Sequence, residues 1–224
     1  DVAVSLGGDG TMLRTVDLVA DDGVPVIGVN LGTLGYLTEV DPASALVALK
    51  RFLAGSYSIS ERMRLAVQVD AGTTHETWPA LNEAVLGKTP TGQIVNVEVS
   101  IDGEVFTTYH ADGLIVATPT GSTAYAWSAG GPIISPDHSA MLITPVAAHM
   151  LFDRSLVLPP QACIRLEVVG DRPAALSIDG RAAGILEAGD AITCTAAPNA
   201  ARIVRFDPQS FLGIVKGKFG LGAR

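Results

Sequence analysis

Gly7-Gly8-Asp9-Gly10-Thr11 puts a carboxylate inside a glycine turn, between an apolar run at residues 2–6 and a segment of helical periodicity. Glycines let a phosphate approach the backbone closely, and a helix start aims unpaired N–H groups at it. A carboxylate in that position repels phosphate, so it needs another task. Two suit it: taking a proton from an attacking hydroxyl, or holding a divalent cation. The alternative is that Asp9 only caps the helix. Arg14, one turn further on, is placed either to reach the same phosphates or to pair with a surface acid.

Two further groups stand out. Asp112-Gly113 leads through an apolar strand, Leu114-Ile115-Val116-Ala117, into Thr118-Pro119-Thr120-Gly121-Ser122-Thr123-Ala124-Tyr125. Such a density of hydroxyls suits hydrogen bonding to ribose and amide groups, or else the hydroxyls bond their own backbone in a structural turn. In Leu81-Asn82-Glu83 an amide and a carboxylate are adjacent, and a carboxylate is a good acceptor for a pair of ribose hydroxyls; the alternative is an ordinary exposed turn.

The elements that must carry these groups change character along the chain. Residues 2–6 and 24–30 read as short apolar strands, the second ending in Leu31-Gly32-Thr33-Leu34-Gly35. Met12, Leu13, Val16 and Val19 share a helical face after the first loop. Asp41-Pro42 opens a second helix, with Asp41 as N-cap, apolar Ala45, Leu46, Leu49, Phe52 and Leu53, and Gly55 as the stop. Strand and helix alternating argue for a parallel α/β layer. From residue 59 the period becomes two. Residues 59–69 and 95–101 alternate, and short strand patterns recur at 106–109, 114–117, 155–158, 164–169, 176–178, 191–195 and 201–206. Turn signals at Asp102-Gly103, Asp179-Gly180 and Gly189-Asp190 separate them, which predicts a β-sandwich. The apolar tail at 210–221 is expected to return to the first domain.

The chain has 224 residues, 48% hydrophobic and 17% charged, enough for a substantial core. A net charge of −8 without a basic run argues against a nucleic-acid partner. Phosphate binding must then be local, through backbone N–H groups and a metal. No apolar run reaches the roughly 18 residues of a membrane span. Cys163 and Cys194 lack metal-ligand spacing and read as free thiols in a reducing, cytoplasmic compartment. No structural metal is expected.

The loop at residues 7–11 resembles one shared by NAD kinases, by diacylglycerol and sphingosine-type lipid kinases and, in related form, by phosphofructokinases. The run at 112–125, followed by Ala129-Gly130-Gly131-Pro132, resembles the signature of NAD kinases and not of lipid kinases. Asn82-Glu83 is similar to the family's Asn-Glu or Asn-Asp motif, and the motifs fall in family order over nearly the whole chain, residues 145–149 and 156–160 included. The resemblance implies a partial Rossmann-like α/β domain at 1–57, a β-sandwich NAD-binding domain at 58–207, a tail at 208–224, and an active site in the inter-domain cleft. It implies transfer of a phosphoryl group from ATP or polyphosphate, with Mg²⁺ or another divalent cation, to the adenosine ribose 2′-hydroxyl of NAD. Asp9 is then the catalytic acid-base residue, with Gly10 and Arg14 beside it. Asn82, Glu83, Asp112, His110 and the turn Thr123, Ala124, Tyr125, Ala126, Trp127 and Ser128 become dinucleotide contacts, with Gln93 and Ala147 at aligned positions. Asp179-Gly180-Arg181 resembles a further loop near the site. Homodimers or homotetramers are implied. The family carries another strand–helix unit or two before the first loop, so the α/β domain is expected to be incomplete. The rival readings are a lipid kinase with the same loop and a non-catalytic NAD- or NADP-binding module.

Overall fold

The structure, a computed structural model, describes residues 1–32, 35–89, 93–206 and 211–221. Thr33 and Leu34 of the second glycine-rich loop, and Ser210 with residues 222–224 of the tail, lie outside the described residues. The chain forms two compact units, Asp1–Arg62 with Asn199–Arg224, and Met63–Pro198.

The first unit opens with β1 (Ala3–Gly7), α1 (Asp9–Val19), β2 (Val26–Asn30), α2 (Ala45–Leu53) and β3 (Ser58–Arg62). The second contains β4 (Leu65–Ala71), β5 (Thr74–Ala80), β6 (Glu83–Lys88), β7 (Val95–Ile101), β8 (Glu104–Ala111), β9 (Gly113–Ala117), α3 (Tyr125–Ser128), β10 (Met141–Val146), β11 (Leu156–Leu158), β12 (Ile164–Val168), β13 (Ala174–Ile178), β14 (Arg181–Leu186) and β15 (Ala191–Ala196). The chain then returns to the first unit as β16 (Ala201–Arg205) and α4 (Phe211–Phe219).

Four strands in the order β1-β2-β16-β3 make the first sheet, with β2 parallel to both β1 and β16. The expected helices form. Met12 and Val16 of α1 are buried, and Gly55 ends α2 at φ +73°. Asp41 caps the 3₁₀ turn that leads into α2, accepting the Ala43 N–H at 2.9 Å. The buried stripe of α2 differs from the expected one. It is Ala48 flanked by half-buried Ala45 and Phe52, while Leu46 and Leu53 face water.

The boundary expected at residue 57 is also displaced. The alternation over residues 59–69 is two strands, β3 and β4, interrupted at Met63 and Arg64 and belonging to different sheets. Residues 58–62 and 201–205 therefore leave the sandwich and join the first unit. A period of two records which face is buried and says nothing about which sheet a strand enters. Glu39 helps fix β16 in place. Its carboxylate accepts the Arg205 guanidinium and the Phe206 N–H, each at 2.8 Å.

The second unit is a sandwich of two six-stranded sheets, β11-β10-β9-β6-β13-β14 and β5-β4-β15-β12-β7-β8. Its core takes Leu86, Leu114, Met141 and Ile143 from one sheet and Leu65, Val97, Ile164 and Ile192 from the other. Strand β9 is buried on both faces. Leu114 and Val116 enter this core, whereas Ile115 and Ala117 join a second cluster with Leu142 and Ala126, under the segment that follows β9. That double burial explains the unbroken apolar run Leu114-Ile115-Val116-Ala117. Strands β5, β6, β10 and β14 were not legible as strands. Strand β5 is polar and contains Pro79, as an edge strand can. Pro145 of β10 lies past the end of the β11 pairing, which spans only Met141 to Ile143.

Candidate functional site

In the first unit, β1 turns at Gly7-Gly8 directly into α1. Gly8 is the N-cap residue and Asp9 the first helical residue, and no side chain caps this helix. The capping alternative for Asp9 is therefore not what is found. Its carboxylate is held instead by a loop far along the chain, with Oδ2 accepting the Tyr36 N–H at 2.8 Å and Oδ1 the Leu37 N–H at 3.0 Å. Each oxygen keeps a further lone pair. The bracing loop comes close enough that a Cβ on Gly35 would lie 2.1 Å from Asp9 Oδ1. Among the described residues nothing outside this turn lies within 4 Å of where a Cβ on Gly8 or Gly10 would point, so the first turn of α1 presents open backbone to an incoming anion. Arg14 is exposed on α1, and the alternative surface ion pair is not found among the described residues. Burial, then the Asp9 charge, raise the Tyr36 phenol above its ordinary pKa. The Lys218 ammonium of α4 sits 4.7 Å from the centre of the Tyr36 ring.

In the second unit, Leu81 and Asn82 form the turn between β5 and β6, and Glu83 begins β6. All three backbone N–H groups of this turn converge on one carboxylate. Asp179 Oδ2 accepts from Leu81 at 2.7 Å, and Oδ1 accepts from Asn82 at 2.8 Å and Glu83 at 3.0 Å. Thr118 satisfies the carbonyls. Its hydroxyl donates to Leu81 O at 2.6 Å and its N–H to Asn82 O at 2.9 Å. Gly121 packs against the same turn, where a Cβ would stand 2.1 Å from Asn82 O.

The carboxyl of Glu83 is only 7% exposed and its Oε2 has no partner. Burial, and then the neighbouring Asp179, push its pKa up to about 8, against a hydrogen bond from the Tyr125 N–H. Burial raises Asp179 as well, opposed by the three N–H donors and Arg181. Near neutral pH Glu83 is thus largely an uncharged acid, with Oε2 buried and lacking a partner among the described residues.

The hydroxyl-rich turn divides between the two expected roles. Thr118 is committed to Leu81, Ser122 donates to Pro119 O at 2.7 Å, and Thr123 donates to Thr120 O at 3.2 Å, so these hydroxyls hold the turn itself. Thr123 and Ala124 remain half-buried, Tyr125, Trp127 and Ser128 are exposed, and Ala126 plugs the cluster beneath β9.

A third grouping surrounds Asp112, between β8 and β9. Lys88 pairs with its carboxylate at 2.7 Å, and its N–H donates to Val146 O at 2.9 Å, beside exposed Ala147 at φ +47°. His110 is exposed on β8, with Nδ1 2.7 Å from Asn96 Oδ1, and its carbonyl accepts the His149 N–H. Gln93 is exposed in the segment that enters β7. The structure thus gathers Asn82, Glu83 and the 123–128 turn at one place, and Asp112, Lys88 and Ala147 at another. Lys88 had no sequence signal, and Asp179 showed one as half of a hairpin dipeptide and in the resemblance of Asp179-Gly180-Arg181 to a loop near the site.

A family model described as the ATP-NAD kinase N-terminal domain matches residues 1–57, and one described as the ATP-NAD kinase C-terminal domain matches residues 81–206. The chain is 43% identical to an NAD kinase of Heliobacterium modesticaldum, over 99% of this chain and 79% of that one. It is 40% identical to an NAD kinase of Syntrophotalea carbinolica, over 100% and 79%. Yeast NADH kinase complexed with NADH superimposes with a TM-score of 0.94 at 31% identity, covering 100% of this chain and 67% of that one. An NAD kinase from Archaeoglobus fulgidus in complex with ATP gives 0.79 at 27% identity, covering 98% and 82%.

Two predictions follow from the geometry. Gly35→Ala forces the bracing loop away from Asp9; turnover should fall about tenfold or more, as misplacement of a reacting group does, with little loss of thermal stability. Wild-type turnover would show that Asp9 does not depend on this brace. Glu83→Gln tests burial of the acid. Because folding raises the Glu83 pKa from 4.5 to about 8, the folded state holds its proton more tightly, and wild-type stability falls as pH climbs through that window. The melting temperature of Glu83→Gln relative to wild type should therefore increase from pH 5 to pH 8 and level off above. A constant difference would remove the raised pKa.

Proposed function

The chain belongs to the NAD kinase family and phosphorylates NAD to NADP, and we propose that Asp9 is its catalytic base. The observation that carries this role is the Asp9 carboxylate itself. It stands in the first turn of an anion-binding helix and is oriented by the N–H groups of Tyr36 and Leu37, with lone pairs left over. In this reading the 2′-hydroxyl of the adenosine ribose attacks the terminal phosphoryl group of ATP or polyphosphate, and Asp9 takes the proton from that hydroxyl. The Gly8–Gly10 backbone and Arg14 hold the donor phosphates. Phosphoryl transfer passes through a loose transition state, so positioning and charge neutralisation supply most of the rate.

Asn82 and Glu83 bind ribose hydroxyls, with the orphan Glu83 oxygen receiving donors from the ligand. Exposed Tyr125 and Trp127, with Thr123, Ala124 and Ser128, line the dinucleotide, and Ala126 anchors that turn from below. Asp112, His110, Gln93 and Ala147 are assigned to a second dinucleotide contact, at the separate place around Asp112 and Lys88. The comparison proteins crystallised with NADH and with ATP support both ligand classes.

A divalent cation accompanies the donor. Among the described residues no group of three or more His, Cys, Asp or Glu converges as a metal cage. Asp9 fits what a hard cation needs when phosphates and waters supply its other ligands, namely one carboxylate with lone pairs to spare. Bound there with the donor, the cation would neutralise phosphate charge.

Free Cys163 and Cys194 suit a reducing cytoplasm. Among the described residues no helix is long and apolar enough to cross a membrane. Each sandwich sheet ends in strands with a single neighbour, β11 and β14 in one, β5 and β8 in the other, and we place a homodimer or homotetramer contact there. Sedimentation equilibrium of the wild-type chain should give two or four copies; a monomer at micromolar concentration would sink this assignment.

Asp9→Asn keeps the shape and loses the base. Its turnover in NADP formation from NAD, ATP and Mg²⁺ should drop at least about a hundredfold, the range for general-base catalysis, with NAD binding by calorimetry retained. Near-normal turnover would exclude Asp9 as the base.

A further inference from the structure

We infer that Asp179 is a positioning residue for the dinucleotide, acting through Asn82 and Glu83; this rests on the reading above that those two residues bind its ribose. Asp179-Gly180 is the turn of the β13–β14 hairpin, with φ values of +46° and +74°. Asn-Gly forms that kind of turn as readily as Asp-Gly. The hairpin therefore does not require a carboxylate at this position.

The use of the carboxylate lies across the sheet. Its two oxygens collect the Leu81, Asn82 and Glu83 N–H groups, and the Asp179 N–H donates back to Glu83 O at 3.0 Å. Thr118 takes the Leu81 and Asn82 carbonyls. Between them, Asp179 and Thr118 satisfy the backbone of the turn without drawing on the Asn82 side-chain amide or the Glu83 Oε2.

Two carboxyl groups side by side at a half-buried turn are unfavourable for folding, since each is desolvated beside a like charge. A purely structural turn gains nothing from that arrangement, whereas a site that must receive donor hydroxyls on an acid with one oxygen unpartnered does. The groups facing the pair are the Arg181 guanidinium, which acts on Asp179, and the Tyr125 N–H, which acts on Glu83.

Asp179→Asn preserves the hairpin but offers a single acceptor oxygen to three donors and removes the charge beside Glu83. The KM for NAD should rise about tenfold or more, as when a charged hydrogen-bond acceptor is lost, while the KM for ATP and the turnover at saturating NAD change less than about threefold. NAD affinity should strengthen as pH climbs toward 8 and Glu83 ionises, and in Asp179→Asn that rise should shift to lower pH. A merely structural role would not move this midpoint. Asp179→Glu, with the charge kept and displaced by one methylene, should raise the KM for NAD while leaving the midpoint near that of wild type, and it serves if the Asn variant does not fold. A normal KM for NAD in whichever of the two folds, or an equal loss for NAD and ATP, overturns the inference. Asn82→Ala separates the two layers. If it weakens NAD while the Asp179 variants do not, only the positioning role fails; if it leaves NAD untouched, the ribose assignment fails and the inference with it.

Discussion

A carboxylate can accept several backbone N–H groups at once, and in this chain that capacity ties distant loops together. Asp9 and the loop at Tyr36 and Leu37 are joined in this way, as are Asp179 and the turn at Leu81, Asn82 and Glu83. Glu39 does the same for β16 through the Phe206 N–H. A chain of such contacts runs through the first unit. Arg205 and Phe206 hold Glu39, Glu39 lies three residues beyond Tyr36, and Tyr36 and Leu37 hold Asp9. A strand near residue 205 thereby bears on a carboxylate at residue 9. The links at the two ends of that chain of contacts are hydrogen bonds to carboxylates, the stronger class, and three residues of backbone join them.

The glycines follow from the same contacts. For Asp9 Oδ1 to reach the loop, residue 35 can have no Cβ; for Thr118 and its turn to lie on Asn82, residue 121 can have none. These two positions are steric requirements. Gly8 and Gly10 differ from them, because open space lies beyond both. Among the described residues no atom beyond their own turn excludes a side chain at those two positions, so their smallness suits the close approach of a group from outside.

Much of this was legible in the sequence wherever the signal is local. Asp9 in its glycine loop, Asn82-Glu83, the Asp-Gly hairpins and the double-faced apolar run of β9 are all written in consecutive residues. Pairing partners are not. Residues 201–205 look like any short strand, and only their neighbours β2 and β3 make them the interior of the first sheet. Strand β10 was obscured by Pro145 and β5 by its polarity, since each departs from strand composition at an edge or past the end of a partner. The hydrogen-bonding use of Asp179 was hidden for a related reason, although the resemblance places its loop near the site. Its side chain works 96 to 98 residues away, on N–H groups that every residue type carries, so no spacing marks it.

The hydroxyl-rich turn shows why residue type alone underdetermines role. A ligand site and a stable loop ask for the same groups, and here consecutive hydroxyls serve different ends. Thr118 and Ser122 are fully buried and bonded to carbonyls, which leaves them nothing to offer a ligand. The exposed positions are further on, at Tyr125, Trp127 and Ser128. Rigidity in the first part gives precision to the second. The turn is pinned to Asn82 by Thr118 and Gly121, and its Tyr125 N–H reaches the Glu83 carboxyl, so the exposed part of the turn and the Glu83 acid are held by one hydrogen-bonded unit. Moving either displaces the other, and that coupling lets a modest number of polar groups define a single ligand orientation.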